Sequence, residues 1–334
     1  MTAAVLAVHG GNSKTDVALV AADGALLAAV RGPTTSHQAV SHEEGLRRLT
    51  ALVETATGQA GLDPAARPIA RVGVHALAGA DFRADIRMLE RGLLQTGLAQ
   101  RDVVVNDCIG ALWAGATDGW GIALVCGQGI NAAAISPDGR HARFDGVGDI
   151  SGDWGGGTSV GMAGLAAAVR ARDGRGPRTT LERLVPAYFG LKRPSAVTRA
   201  FYDGRIRETR VGELSPVVFA AAADGDPTAR SIVDRLADEL TTMAIALARR
   251  LGIKRLPVDV VLAGGVFRTE DAAFFERLDT SMRAELPTAN LIRLDAPPVA
   301  GAAREGLKQL GQGSPKAIAA ARERIRRELR EWRP

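Results

Sequence analysis

The stretch VLAVHGGNSKTDVALVAADGALLAAV, Val5 to Val30, decides how this chain is read. An apolar run stops at His9, Gly10 and Gly11, a polar turn carries Asn12, Ser13, Lys14 and Thr15, and a second apolar run resumes at Val17. The pattern predicts three strands, near Val5 to Val8, Asp16 to Ala21 and Ala25 to Val30. The last two are joined at Ala22-Asp23-Gly24, since Asp-Gly between apolar runs is a strong hairpin signal. A glycine turn after a strand lets backbone N–H groups approach an anion, and a nearby Lys or hydroxyl adds charge-assisted bonds. Because this turn leads into another strand, it is not the helix-opening G-x-G-x-x-G of a Rossmann unit. The G-x-x-x-x-G-K-[ST] of a P-loop is absent as well.

The design recurs. In GIALVCGQGINAAAISPDGRHARFD, residues 121–145, a strand near Gly121 to Val125 meets a glycine turn at Gly127, Gln128 and Gly129. A strand near Asn131 to Ser136, an Asp-Gly turn and a third strand follow. A third glycine bend, Gly264-Gly265, ends the strand of VDVVLAGGVF. Two halves built on one unit, each ending a strand on glycine, predict a duplicated α/β protein that holds a nucleotide between two lobes.

Composition agrees. The 334 residues exceed one ordinary core, and 46% hydrophobic against 24% charged residues is a globular balance with few aromatics, 4%. Small aliphatic side chains favour α/β layers. Much of the net charge of +5 lies in KAIAAARERIRRELREWRP, read as a solvated amphipathic helix, and no nucleic-acid partner is expected. Cys108 and Cys126 lack a CxxC partner, which argues against a disulfide framework and fits a reducing cytoplasm. No signal peptide or membrane span is expected.

Between the hairpin units lie helical patterns. SHEEGLRRLTALVETATGQAG carries Ser41 as N-cap with Glu44 three residues on, a capping box, and ends near Gly58 or Gly61. DVVVNDCIGALWAG reads as a buried strand, Val103 to Val105, running straight into a helix, so that Asn106 and Asp107 stand at a strand's carboxyl end, where α/β sheets place ligands. Asp107 is open to a second reading, as N-cap of that helix. The long pattern at 227–252 puts Ile232, Leu236, Leu240, Met243 and Leu247 on one face.

With these motifs in hand, the chain resembles the N-acetylglucosamine kinase group of the BadF/BadG/BcrA/BcrD ATPase family, within the actin-like and sugar kinase superfamily. GGNSKTDVALV, VVNDCIGALWAG, VCGQGINAA, GVGDISGDWGGGTSVG and LAGGVF occur in that family's order. The resemblance implies a two-lobed actin-like ATPase with ribonuclease H-like duplicated domains and a central cleft. Residues 1–115 would form the first lobe, completed by the helix at 300–334, and residues 116–299 the second. It implies ATP and Mg²⁺, an amino sugar phosphorylated at its terminal hydroxyl, and a cytoplasmic homodimer. Gly10, Gly11, Asn12, Ser13, Lys14 and Thr15 would meet the phosphates with Gly127, Gln128 and Gly129, while Gly264 and Gly265 would border the adenosine. Asp107 would be the general base. Ser36, His37, Asn106, Gly152 and Asp153 would surround the sugar.

The chain departs from the pattern at His9, where the family usually carries a magnesium-associated aspartate. A neutral imidazole is a poor ligand for Mg²⁺. His9 therefore leaves a second reading open: a catalytically impaired homologue serving as a sugar or nucleotide sensor. Trp154 and Gly156 stand where many relatives carry Glu and Ser, which bears on which sugar fits. An iron–sulfur dehydratase activator is a third reading, for which Cys108 and Cys126 are poorly placed.

Overall fold

Val5 to Val30 folds as three strands, β1 Ala3–Gly10, β2 Lys14–Val20 and β3 Leu26–Pro33. β1 and β2 pair antiparallel, with His9 opposite Asp16 and Gly10 opposite Thr15, and β2 continues antiparallel to β3, with Asp16 opposite Arg31. The computed structural model describes residues 2–311 and 313–334. The chain continues through α1 His42–Gln59, β4 Ala70–Leu77, α2 Arg83–Thr96, β5 Ala99–Asn106 and α3 Asp107–Gly115. A second three-strand run follows, β6 Gly121–Cys126, β7 Ile130–Ile135 and β8 His141–Arg143. Then come α4 Gly156–Arg172, α5 Leu181–Tyr188, α6 Pro194–Tyr202, α7 Ser215–Ala223 and α8 Pro227–Leu251. The chain closes with β9 Asp259–Ala263, α9 Ala272–Glu285, β10 Asn290–Arg293, α10 Val299–Leu310 and α11 Pro315–Glu331.

The repeat seen in the sequence is a repeat of topology. The first sheet runs β3-β2-β1-β4-β5 and the second, taken from its meander edge, β8-β7-β6-β9-β10. The two orders are the same. By internal packing the chain forms two compact units, one of Met1–Ala123, Ala133–Gly139 and Ile292–Pro334, the other of Leu124–Ala132 and Arg140–Leu291.

In the first unit, β1 is apolar on both sides because its sheet is covered on both sides. Leu6 and Val8 point one way, into a core with Leu49 and Val53 of α1 and Leu89 and Leu93 of α2. Alternation sends Val5, Ala7 and His9 the other way, toward α3 and α10. There a Cβ on Gly306 would strike Val5, and a Cβ on Gly110 would lie 2.5 Å from the Ala76 methyl and 3.5 Å from the His9 ring. Glycine thus seats α3 on the sheet above His9.

Two expectations need correcting. β5 is not a buried strand: it edges the sheet, leaving Gln100 and Arg101 exposed and Val103 and Val105 half-buried. Nor is the C-terminal helix merely solvated. It buries Ala321, Ile325 and Leu329, accepts the Leu26 N–H on Glu328 at 2.7 Å, and places Trp332 over the Arg31 guanidinium, 5.2 Å from the ring centre. The α1 cap is also modified: Ser41 accepts from the Glu44 N–H as expected, but the Glu44 carboxylate takes Arg47 and Arg48. In α8, Leu236, Leu240, Met243 and Leu247 are buried as expected, while Ile232 is only half-buried and Val233 is fully buried.

Candidate active site

The first unit gathers its candidate residues at one edge of its sheet. β1, β4 and β5 run parallel, and the register sets Gly10 beside Leu77 and Leu77 beside Asn106. Three strands therefore end in line, and the segments leaving them lie together: the turn after Gly10, the loop after Leu77, and α3 beginning at Asp107. Carboxyl ends of strands are where open α/β sheets bind ligands.

The first turn closes with the Gly11 N–H donating to the Lys14 carbonyl at 2.9 Å, leaving Asn12, Ser13 and Lys14 exposed. Hydroxyls brace it from the segment after β3. Buried Thr15 and Thr35 join their Oγ1 atoms at 3.0 Å, the Thr35 N–H donates to Thr15 Oγ1 at 3.1 Å, and Thr34 Oγ1 donates to the Gly11 carbonyl at 2.8 Å. Ser36 and His37 follow directly. Buried His37 Nδ1 has no hydrogen-bond partner among the described residues, and Nε2 lies 3.9 Å from Asp85.

At the third strand end, Asn106 rather than Asp107 is the N-cap of α3, accepting from the Cys108 N–H at 3.1 Å. Asp107 is the first helical residue, half-buried, and its Oδ1 accepts from the same N–H at 3.0 Å. Asn106 has a further partner that sequence reasoning missed. Asp81, 8% exposed in the loop after β4, accepts from Asn106 Nδ2 at 2.9 Å and from Gln38 Nε2 at 2.8 Å.

His9 lies across the hairpin from Asp16, whose two oxygens are both held by Arg31, at 2.5 and 2.9 Å. Desolvation pushes the His9 imidazole down to about 4 against the pull of Asp16, so the ring is neutral at neutral pH. The residues here do not fit a protein-held magnesium. The nearest acid to His9 in the register is committed to an arginine, the imidazole is a soft donor for a hard cation, and no group of three metal-ligating side chains occurs among the described residues.

The second unit builds its own glycine turn. The Gly127 N–H donates to the Gly129 carbonyl at 2.9 Å. A Cβ on Gly127 or Gly129 would meet nothing within 4 Å, and neither residue has positive φ. Packing does not require these glycines, and they leave the backbone of the turn unobstructed. The turn is held from behind by the start of α4, where the Gly157 and Thr158 N–H groups donate to the Gly127 and Gln128 carbonyls at 2.8 and 2.9 Å. Gly156 has φ +75°, and a Cβ there would sit 2.5 Å from the Gln128 carbonyl oxygen. Gly264 is fixed for a similar reason, with φ +110° and a Cβ there striking the Cys126 backbone, whereas Gly265 faces open space.

Gly152 and Asp153 lie in the loop before α4. The Asp153 N–H donates to the Gly148 carbonyl at 3.0 Å and its carboxylate accepts from the Ser151 hydroxyl. The next residue, Trp154, has the Arg235 guanidinium of α8 3.9 Å from its ring centre, which ties this end of the loop down. Both cysteines are buried and outside any disulfide, and burial pushes the Cys126 thiol up to about 12, so Cys126 is not a thiolate ready to hold a cluster.

Two sheets of one strand order, each with a glycine turn after its first strand, define the actin-like ATPase fold. The chain belongs to the BadF/BadG/BcrA/BcrD ATPase family, whose model matches residues 6–305. It is 29% identical over 263 residues to an N-acetylmuramic acid/N-acetylglucosamine kinase of Clostridium acetobutylicum, 78% of this chain and 85% of that one. It is 24% identical over 311 residues to an N-acetyl-D-glucosamine kinase of Dictyostelium discoideum, 89% of this chain and 96% of that one. A crystal structure from Chromobacterium violaceum, provisionally named an N-acetylglucosamine kinase, superposes with a TM-score of 0.71 at 25% identity, covering 92% of this chain and 99% of that one.

Proposed function

We propose that this protein is an ATP-dependent kinase that phosphorylates an amino sugar, N-acetylglucosamine or a close relative, at its terminal hydroxyl. The kinase names of the two curated relatives support the reaction. The observation that carries it to particular residues is the register: Asp107 opens α3 at the strand end in line with Gly10, so a carboxylate stands at the same sheet edge as the first glycine turn.

Phosphoryl transfer asks a protein for positioning, charge neutralisation and a proton acceptor. In this reading the backbone of Gly10 to Ser13 with Lys14 and Thr15, and the open turn Gly127 to Gly129, receive the phosphates. Gly264 and Gly265 border the base. Asp107 takes the hydroxyl proton as the sugar oxygen bonds to the γ-phosphorus and the bond to the departing ADP oxygen breaks. Ser36, His37, Asn106, Gly152 and Asp153 contact the sugar. The unpartnered Nδ1 of His37 suits a hydroxyl, which can donate to it or accept from it. Magnesium would supply neutralisation of phosphate charge; with His9 neutral and Asp16 bound to Arg31, these two residues do not hold it. A cytoplasmic setting is supported by two buried cysteines outside any disulfide. No described helix is long and apolar enough to cross a membrane. The homodimer rests on the family resemblance alone.

The test is a coupled assay with Mg-ATP over hexoses, N-acetylglucosamine, N-acetylmannosamine and N-acetylmuramic acid. Turnover is expected on one of the N-acetylated sugars, with plain hexoses at least about tenfold poorer, the discrimination expected when a site's polar groups lose their partner. Background rates across the panel would contradict the assignment.

A further inference from the structure

A continuous hydrogen-bonded path crosses the sheet edge of the first unit, and one carboxylate closes it. From the phosphate turn, the Gly11 carbonyl accepts from Thr34 Oγ1, which accepts from the Ser36 N–H at 3.1 Å; Ser36 Oγ accepts from the Gln38 N–H at 3.4 Å. Gln38 Nε2 then donates to one oxygen of Asp81, and Asn106 Nδ2 donates to the other. Asn106 Oδ1 accepts from the Cys108 N–H, which Asp107 shares. The path begins at the glycine turn and ends at the proposed base, passing through the segment that carries Ser36 and His37.

We infer that Asp81 is a positioning residue for phosphoryl transfer, holding the sugar-side segment at Gln38 and the Asn106 cap beside the base in one fixed relation. The inference rests on the kinase reading of the site. Burying a carboxylate is costly unless both oxygens are satisfied, and here each takes an amide from a different segment. With both amides donating as they stand, residue 81 accepts on both sides. The Asn106 amide cannot turn over, because its oxygen already holds the Cys108 N–H. Its nitrogen must face residue 81, and an amide at that position would have to offer NH₂ to Gln38. Gln38 can reverse its own amide in response, so Asp81→Asn retains the fold while loosening the charge-assisted tie on the sugar side.

The experiment measures kcat and KM for both substrates in the wild type, Asp81→Asn, and the double variant Gln38→Glu with Asp81→Asn, together with melting temperature. The double variant moves the carboxylate to residue 38 and keeps both hydrogen bonds. Asp81→Asn is expected to melt within a few degrees of the wild type and to leave the ATP KM within about twofold. It is expected to raise the sugar KM and to cut kcat by about tenfold or more, the scale of a small misplacement of reacting groups. The double variant is expected to recover most of that loss. A merely structural role would lower the melting temperature and move both KM values together. Wild-type turnover with unchanged Asp81→Asn parameters, or a double variant no better than the single, overturns the inference alone. No turnover by the wild type on any sugar overturns the kinase reading and this inference with it.

Discussion

The two glycine turns arise from the same strand order yet are held in opposite ways. The turn after β1 is braced by side-chain oxygens: Thr15 and Thr35 bond to each other, and Thr34 reaches the Gly11 carbonyl. The turn after β6 is braced by backbone, with the first N–H groups of α4 given to its carbonyls and Gly156 pressed against it. A side-chain brace lets the turn take its shape from a neighbouring segment, here the one carrying Ser36 and His37. A backbone brace fixes the second turn to the start of a helix. It also engages two of the N–H groups at the start of α4, those of Gly157 and Thr158, so the helix start supports the turn.

Substitutions should expose this difference, in decreasing size. Gly156→Ala forces a side chain into left-handed φ and against the Gln128 carbonyl, neither of which relaxes cheaply. It is expected to destabilise the protein by about 3 kcal/mol and abolish nucleotide binding, read by chemical denaturation and calorimetry. Thr15→Val strips the acceptor from a buried backbone N–H, at an expected cost of about 1–3 kcal/mol, with weaker sugar and nucleotide binding. Thr158→Val removes a hydroxyl from the second turn, but that hydroxyl lies 3.4 Å from Gln128 at the surface, and denaturation should change by less than about 0.5 kcal/mol. Equal effects of the two threonine changes would show that both turns are held alike.

What could be read from the sequence follows the range of the forces. The hairpin units, the Ser41 cap and the buried face of α8 are set by neighbours a few residues apart, so alternation, Asp-Gly and a three-to-four spacing reveal them. Asp81 was invisible because Gly-Ala-Asp reads as an ordinary turn, and its partners Gln38 and Asn106 lie 43 and 25 residues away. The Trp154–Arg235 stack and the seat of α11 on Arg31 are equally non-local. For the cap of α3 the sequence offers Asn-Asp and leaves Asp107 open as N-cap; only the backbone, extended at Asn106 with φ −65° and ψ 148°, decides that Asn106 precedes the helix. The apolar triplet Val103 to Val105 does not reveal that β5 has a neighbour on one side only.

The central claim is that a carboxylate at residue 107 takes the proton of a sugar hydroxyl during transfer from ATP. It is tested most directly by single-turnover phosphorylation of N-acetylglucosamine by the wild type and Asp107→Asn, with sugar binding measured in parallel. A rate lower by about 10²–10⁴ in the variant, with sugar affinity kept within about tenfold, is the predicted result. Equal rates in the two proteins would contradict it.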